Sequence, residues 1–219
     1  MKPRVAHRPT AALTLLEVLV AIFVLAVLVA MFLPYHDGRS KHIAMKIACV
    51  NNLKQIGLSY RLWPAGQSDK YPMQVSIKYG GAMELVATGG VALNYLVMSN
   101  QLSTPQILVC PADDRRMAAT NFSTDFSDGK ISYFVGVDAA EEYPQRLISG
   151  DDNFEIGGVP VKSGLLELST NTPITWSADR HRFSGNIALA DGSVQSVTIS
   201  GLRSRLNQTG LATNRLAIP

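Results

Sequence analysis

The chain has 219 residues, with 20 Lys and Arg against 17 Asp and Glu. That length holds one membrane helix and one modest globular domain. The net charge of +3 belongs entirely to residues 1–12, where Lys2, Arg4 and Arg8 stand without an acid. The rest is formally neutral and lacks the clustered basic patch that a nucleic-acid surface needs.

Residues 13–33, LTLLEVLVAIFVLAVLVAMFL, are apolar except for Thr14 and Glu17. As a helix this run reaches about 31 Å, enough to cross a bilayer core. Neither Gly nor Pro interrupts it before Pro34. Glu17 is the anomaly. A carboxylate in a membrane helix costs about 2.5–3.5 kcal/mol near the centre and less near the end, so it needs a partner. The basic start reads as the signal that keeps the N-terminus cytoplasmic.

A short basic leader, a small residue, Leu-Thr-Leu-Leu-Glu and an unbroken apolar run together resemble the N-terminus of the type IV pilin and type II secretion pseudopilin superfamily. The resemblance implies cleavage by a prepilin peptidase between Ala12 and Leu13, followed by methylation of the new amine on Leu13. It makes Glu17, beside Thr14, the assembly site, with the carboxylate meeting the N-terminal amine of a neighbouring subunit. The family usually has Gly at the position of Ala12 and Phe at that of Leu13. A plain single-span anchor explains everything except Glu17 and the Thr-Leu-Leu-Glu order. A secretory signal peptide has a shorter apolar region, no acid, and a small-x-small site that is poorly matched here.

Pro34 and Gly38 predict a kink where the helix would leave the bilayer. The helical pattern then resumes. Met45, Cys49, Leu53, Ile56, Tyr60 and Trp63 recur at a mean of about 3.6 residues and define one buried stripe. Lys46, Asn51, Lys54 and Arg61 fall outside it, and Pro64 ends the helix. Cys49 to Gly57 resembles the segment CxNNLKQIG of one bacterial branch of prepilin-like proteins, read here as packing between helix and head.

From Ala65 onward, short apolar runs alternate with Gly, Pro, Asn and Asp. Residues 83–86 and 91–98 have helical spacing. Gln106–Cys110 reads as a buried strand stopped by Pro111, and Ile131–Val137 as an alternating strand. Leu147–Gly150, Gly164–Leu168 and Pro173–Ser177 are shorter strand candidates. Residues 185–199 read as strand, Asp191-Gly192 turn and strand, with Asp-Gly favouring a type I′ turn. The nine residues between His181 and Asp191-Gly192 resemble a C-terminal signature of the same branch.

Cys49 and Cys110 are the two cysteines. In an exported chain they form either one disulfide, worth about 4 kcal/mol for a loop of about 60 residues, or two buried free thiols. Without a CxxC or a paired His they do not predict a metal site. His181 with Asp179 and Asp191 invites a catalytic or metal reading, but no nucleophile motif is present; a role in bracing the terminal hairpin fits better. Asp151, Asp152, Asn153 and Glu155 offer oxygen donors for calcium but lack the alternation and Gly of a calcium loop. Tyr133, Phe134 and Trp176 read as core.

The expected fold is α+β: a long N-terminal helix, its first half transmembrane, packed on a mainly antiparallel sheet as in pilins. The expected parts are a leader (1–12), an assembly segment (13–33), the second half of the helix (34–64) and a periplasmic head (65–219). The expected function is assembly into a pilus or secretion pseudopilus, not catalysis, and no cofactor is called for. The implied partners are prepilin peptidase, other pilin or pseudopilin subunits, an inner-membrane assembly platform and lipid. The alternative is a membrane-tethered periplasmic binding domain that uses the helix only as an anchor.

Overall fold

The structure is a computed structural model that describes residues 14–32, 38–63 and 69–219. The chain forms two compact units, divided between Ser40 and Lys41. Ala12, Leu13, Pro34 and Pro64 lie outside the described residues.

In the first unit, α1 (Leu15–Phe32) is an 18-residue helix. Thr14 and Glu17 start it as a reciprocal capping box. Thr14 N–H and Oγ1–H donate to Glu17 Oε2 at 2.8 and 3.0 Å, while Glu17 N–H donates to Thr14 Oγ1 at 3.3 Å. The Thr-Leu-Leu-Glu order is thus a helix-start signal in its own right. The side chains from Leu15 to Met31 are exposed, Leu15 by 80% and Phe23 by 69%. Among the described residues, no helix is long and apolar enough to cross a membrane. At about 27 Å, α1 falls short of the span expected for residues 13–33.

The second described helix is α2 (Gly38–Leu62); the kink expected at Pro34–Gly38 falls mostly on residues 33–37, outside the described residues. The stripe on α2 is as its spacing requires: Cys49, Leu53, Ile56 and Tyr60 are fully buried, and Met45 and Trp63 partly so. Lys46 departs from expectation, being half-buried with its Nζ donating to Ser184 Oγ at 3.3 Å. The second unit takes in this helix from Lys41 onward.

The rest of that unit is α+β. Three short helices follow, α3 (Met83–Val86), α4 (Ala92–Leu96) and α5 (Ser99–Leu102). The strand expected at Gln106–Cys110 is absent. Pro105 presets a single 3₁₀ turn over Pro105–Leu108, and the missing Pro N–H disfavours a ladder. The strands are β1 (Tyr133–Gly136), β2 (Leu147–Asp151), β3 (Phe154–Ile156), β4 (Val159–Pro160), β5 (Gly164–Ser169), β6 (Ile174–Trp176), β7 (Ser184–Leu189), β8 (Val194–Thr198) and β9 (Thr213–Ile218). Six form one antiparallel sheet in the order β5-β9-β1-β2-β7-β8; β4-β3-β6 form a second.

Alternation along the strands divides the core. Tyr133, Val135, Ile148 and Ala188 join Cys49, Leu53, Ile56 and Tyr60 in one apolar cluster. Phe134, Leu147, Ile187 and Leu189 point the other way, into a cluster with Phe154, Trp176, Leu202 and Leu206. The last two belong to α6 (Ile199–Gln208), whose N-cap Thr198 accepts from Gly201 N–H. Neither α6 nor β9 was legible as an element. Arg215 interrupts the apolar run of β9, yet β9 pairs with both β5 and β1, and Asp138 pairs with that guanidinium.

The terminal hairpin is present with a different turn. Gly192 has φ +84°, but Asp191 is not in the left-handed region, so the turn is not type I′. Gly192 N–H donates to Leu189 O, and Leu189 N–H to Ser193 O, both at 2.9 Å. This is the three-residue loop in which a tight turn ends in a left-handed Gly. Asp191 Oδ1 accepts from Ser193 N–H at 2.8 Å.

Candidate metal centre

Four side chains far apart in sequence meet in the second unit. Cys49 comes from the buried stripe of α2, and Cys110 follows the 3₁₀ turn. Asp151 ends β2, and His181 lies in the loop before β7. One donor atom from each lies within 4.8 Å of all the others. Cys49 Sγ donates to Asp151 Oδ1 at 3.1 Å. Cys110 Sγ stands 3.3 Å from His181 Nε2, which is 3.5 Å from Asp151 Oδ2. Both cysteines are free thiols and fully buried, as is Asp151; the His181 side chain is 1% exposed.

Neighbours fix these groups. Tyr133, opposite Asp151 in the β1–β2 register, brings its hydroxyl to 3.3 Å from Cys49 Sγ. Asn186 donates to Asp151 Oδ2 through its backbone N–H at 2.7 Å and its side-chain amide at 2.9 Å. His181, Arg182 and Phe183 all have positive φ, at +45°, +50° and +59°. Three consecutive non-Gly residues in that region cost about 1 kcal/mol or more each. The strained loop sends the His181 side chain inward, while its carbonyl accepts from Ser184 Oγ at 2.5 Å.

Burial pushes the Cys49 thiol well up, aided by its hydrogen bond with Cys110. The same bond, with help from His181, pulls Cys110 down to about 6. Burial opposes charge on His181, but its contact with Cys110 and the nearby Asp151 carry its pKa upward. A Cys–His pair of this kind can be a nucleophile and its base. Here the same ring nitrogen faces both Cys110 and Asp151, so the carboxylate does not orient the ring from the far side. Cys110 is also fully buried.

Beside the cluster lies a buried square of charge. Arg180 Nη2 contacts Asp113 Oδ2 at 3.0 Å and also pairs with Asp152. Arg116 bridges the same two acids at 3.0 and 2.8 Å. Arg180 Nη1 donates to Ser132 O at 3.2 Å. Its guanidinium is held charged against the cost of burial by Asp152 and Asp113, and Asp113 is held below the usual carboxylate range despite its burial, Arg180 being the main cause.

The candidate residues thus sort differently from their sequence grouping. Cys49, Cys110, His181 and Asp151 come together, which the reading of the two cysteines as offering no metal site did not anticipate. Asp152 pairs with two arginines, and Asn153 is buried without a hydrogen-bond partner for its side chain among the described residues. Asp179 is half-exposed and pairs loosely with Arg115 at 3.6 Å. Asp191 and Gly192 shape the hairpin turn, whose Asp191 carbonyl accepts from Arg61 at 3.2 Å. Asp113, Arg116 and Arg180 went unremarked in the sequence, although the charge-dense Asp113–Arg116 run just after Cys110 was a usable signal. Comparison with family models, with characterised proteins and with solved structures finds no match to this chain.

Proposed function

We propose that the chain is a pilin-like assembly subunit, held in a membrane by its N-terminal helix and then packed into a filament of like helices. The observation that carries this reading is α1: an all-round apolar helix with exposed side chains, started by an acid. A helix apolar on every face is stable only when covered, by lipid or by similar helices. The apolar sequence continues to Leu13 and Leu33 on either side, which supports a spanning segment longer than the described helix. Both bonds from Thr14 fall on one oxygen of Glu17, leaving Oε1 to meet the amine of Leu13 on an adjacent subunit and set the register. Such buried charge pairs are better at fixing register than at adding stability.

Mass spectrometry of the full chain from cells that contain prepilin peptidase tests this. The expected result is loss of residues 1–12 and a methylated Leu13. An intact N-terminus overturns it.

A second reading, a tethered binding domain, draws on a cleft of about 340 Å³ lined by Arg115, Arg116, Asn153, Ser177 and Asp179. The side chains of Asn153 and Ser177 are buried there without hydrogen-bond partners. An intact N-terminus together with a small polar ligand retained by the head would favour it.

A further inference from the structure

We propose that Cys49, Cys110, Asp151 and His181 form a structural zinc site that clamps α2 to the head. The donor chemistry selects the metal. Two thiolates and an imidazole suit a borderline-soft cation such as Zn²⁺, whereas calcium and magnesium take oxygen. The geometry agrees. Zinc bonds of about 2.3 Å to sulfur and about 2.0–2.2 Å to nitrogen and oxygen place tetrahedral ligands about 3.3–3.8 Å from one another. The contacts here are 3.1 Å for Cys49–Asp151, 3.3 Å for Cys110–His181 and 3.5 Å for His181–Asp151. The other three pairs lie within 4.8 Å, so an ion draws the donors together by at most about 1 Å.

Four protein donors that exclude water leave no open position, which makes the site structural and not catalytic. The surrounding contacts are those that orient metal ligands. Asn186 holds Asp151 by Oδ2, turning Oδ1 toward Cys49, and Tyr133 can donate to the Cys49 thiolate. With Zn²⁺, two thiolates and one carboxylate the centre carries a single negative charge, next in the chain to the buried Arg180. Metal binding displaces the thiol protons to solvent and requires no oxidant. The ion ties together segments that otherwise meet through packing and a few hydrogen bonds, and it accounts for the strained backbone at His181–Phe183. The inference is independent of how α1 is used.

The full chain, purified in detergent, reduced and stripped of metal, is titrated with Co²⁺ and then Zn²⁺. The expected result is one Co²⁺ per chain, with thiolate-to-cobalt charge transfer and the intense visible bands of tetrahedral cobalt, abolished by equimolar Zn²⁺. Cys110→Ser and His181→Ala should each weaken cobalt binding at least tenfold, while Asp179→Asn, an exposed acid beside Arg180, binds as wild type does. Should the variants not fold, the wild-type melting temperature must still rise with Zn²⁺ and not with Mg²⁺. Absence of the charge-transfer band in the reduced wild type overturns the site, as does a band unchanged in Cys110→Ser.

Discussion

The side-chain amide of Asn52 donates to the carbonyl oxygen of Val109 at 3.2 Å. One hydrogen bond thereby joins a half-buried helix residue three positions after Cys49 to the residue immediately before Cys110. It keeps the two thiols facing each other whatever else occupies the site. Asn52→Ala removes the donor and leaves a half-buried carbonyl unsatisfied, at a cost of about 1 kcal/mol. Chemical denaturation of the full chain in detergent, followed through the fluorescence of buried Trp176, should show a lower midpoint at unchanged slope. A midpoint equal to wild type would show that the bond contributes nothing.

Glu17 has two roles to separate. Its capping bonds to Thr14 are local, while its proposed amine partner belongs to another subunit. Glu17→Ala should loosen the first turn of α1 by removing the capping-box carboxylate and leave membrane insertion and the head intact, yet abolish incorporation into filaments. Fractionation and filament shearing measure both. Normal filaments from this variant would remove the pairing mechanism.

Arg180 is the shared cation of a buried network, so its loss leaves Asp152 with Arg116 and Asp113 with Arg116 and the exposed Arg115. Arg180→Met should destabilise the head by about 3–5 kcal/mol, the cost of stranding buried charge and not the worth of one contact. The same denaturation measurement applies. A loss below about 1 kcal/mol would mean that water reaches the acids.

Tyr71 is buried with its hydroxyl donating to Ala190 O at 3.0 Å. Burial raises its pKa to about 12, with Glu141 and Asp191 adding to the shift and Arg61 opposing it. A group whose folded pKa is raised contributes stability below its unfolded pKa, here about 10, and loses it as pH climbs toward the folded value. Between pH 9 and pH 11 the wild type should therefore lose about 1.4 kcal/mol more than Tyr71→Phe does. Parallel denaturation curves of the two proteins at the two pH values measure this, and equal losses would place the Tyr71 hydroxyl in water.

The N-terminal apolar run, the stripe on α2 and the terminal hairpin were legible because each is a local pattern. Periodicity and an Asp-Gly pair act within a few residues, and the chain folds accordingly at Cys49–Tyr60 and at Ser184–Thr198. The hairpin's turn type was not, since Arg61 and Tyr71 bond the carbonyls of that loop only in the folded head. The 3₁₀ turn at Pro105 likewise won over strand composition because no neighbouring strand was there to pair with it.

The sequence alone determined that an apolar run holding Thr14 and Glu17 near its start is followed by an amphipathic helix. Only the tertiary structure decided that Cys49, Cys110, Asp151 and His181 share one buried point. Donors separated by 30 to 61 residues along the chain leave no periodic trace. Their meeting depends on which face of α2 lies on the sheet, on β1 and β2 pairing Tyr133 with Asp151, and on a left-handed loop turning His181 inward.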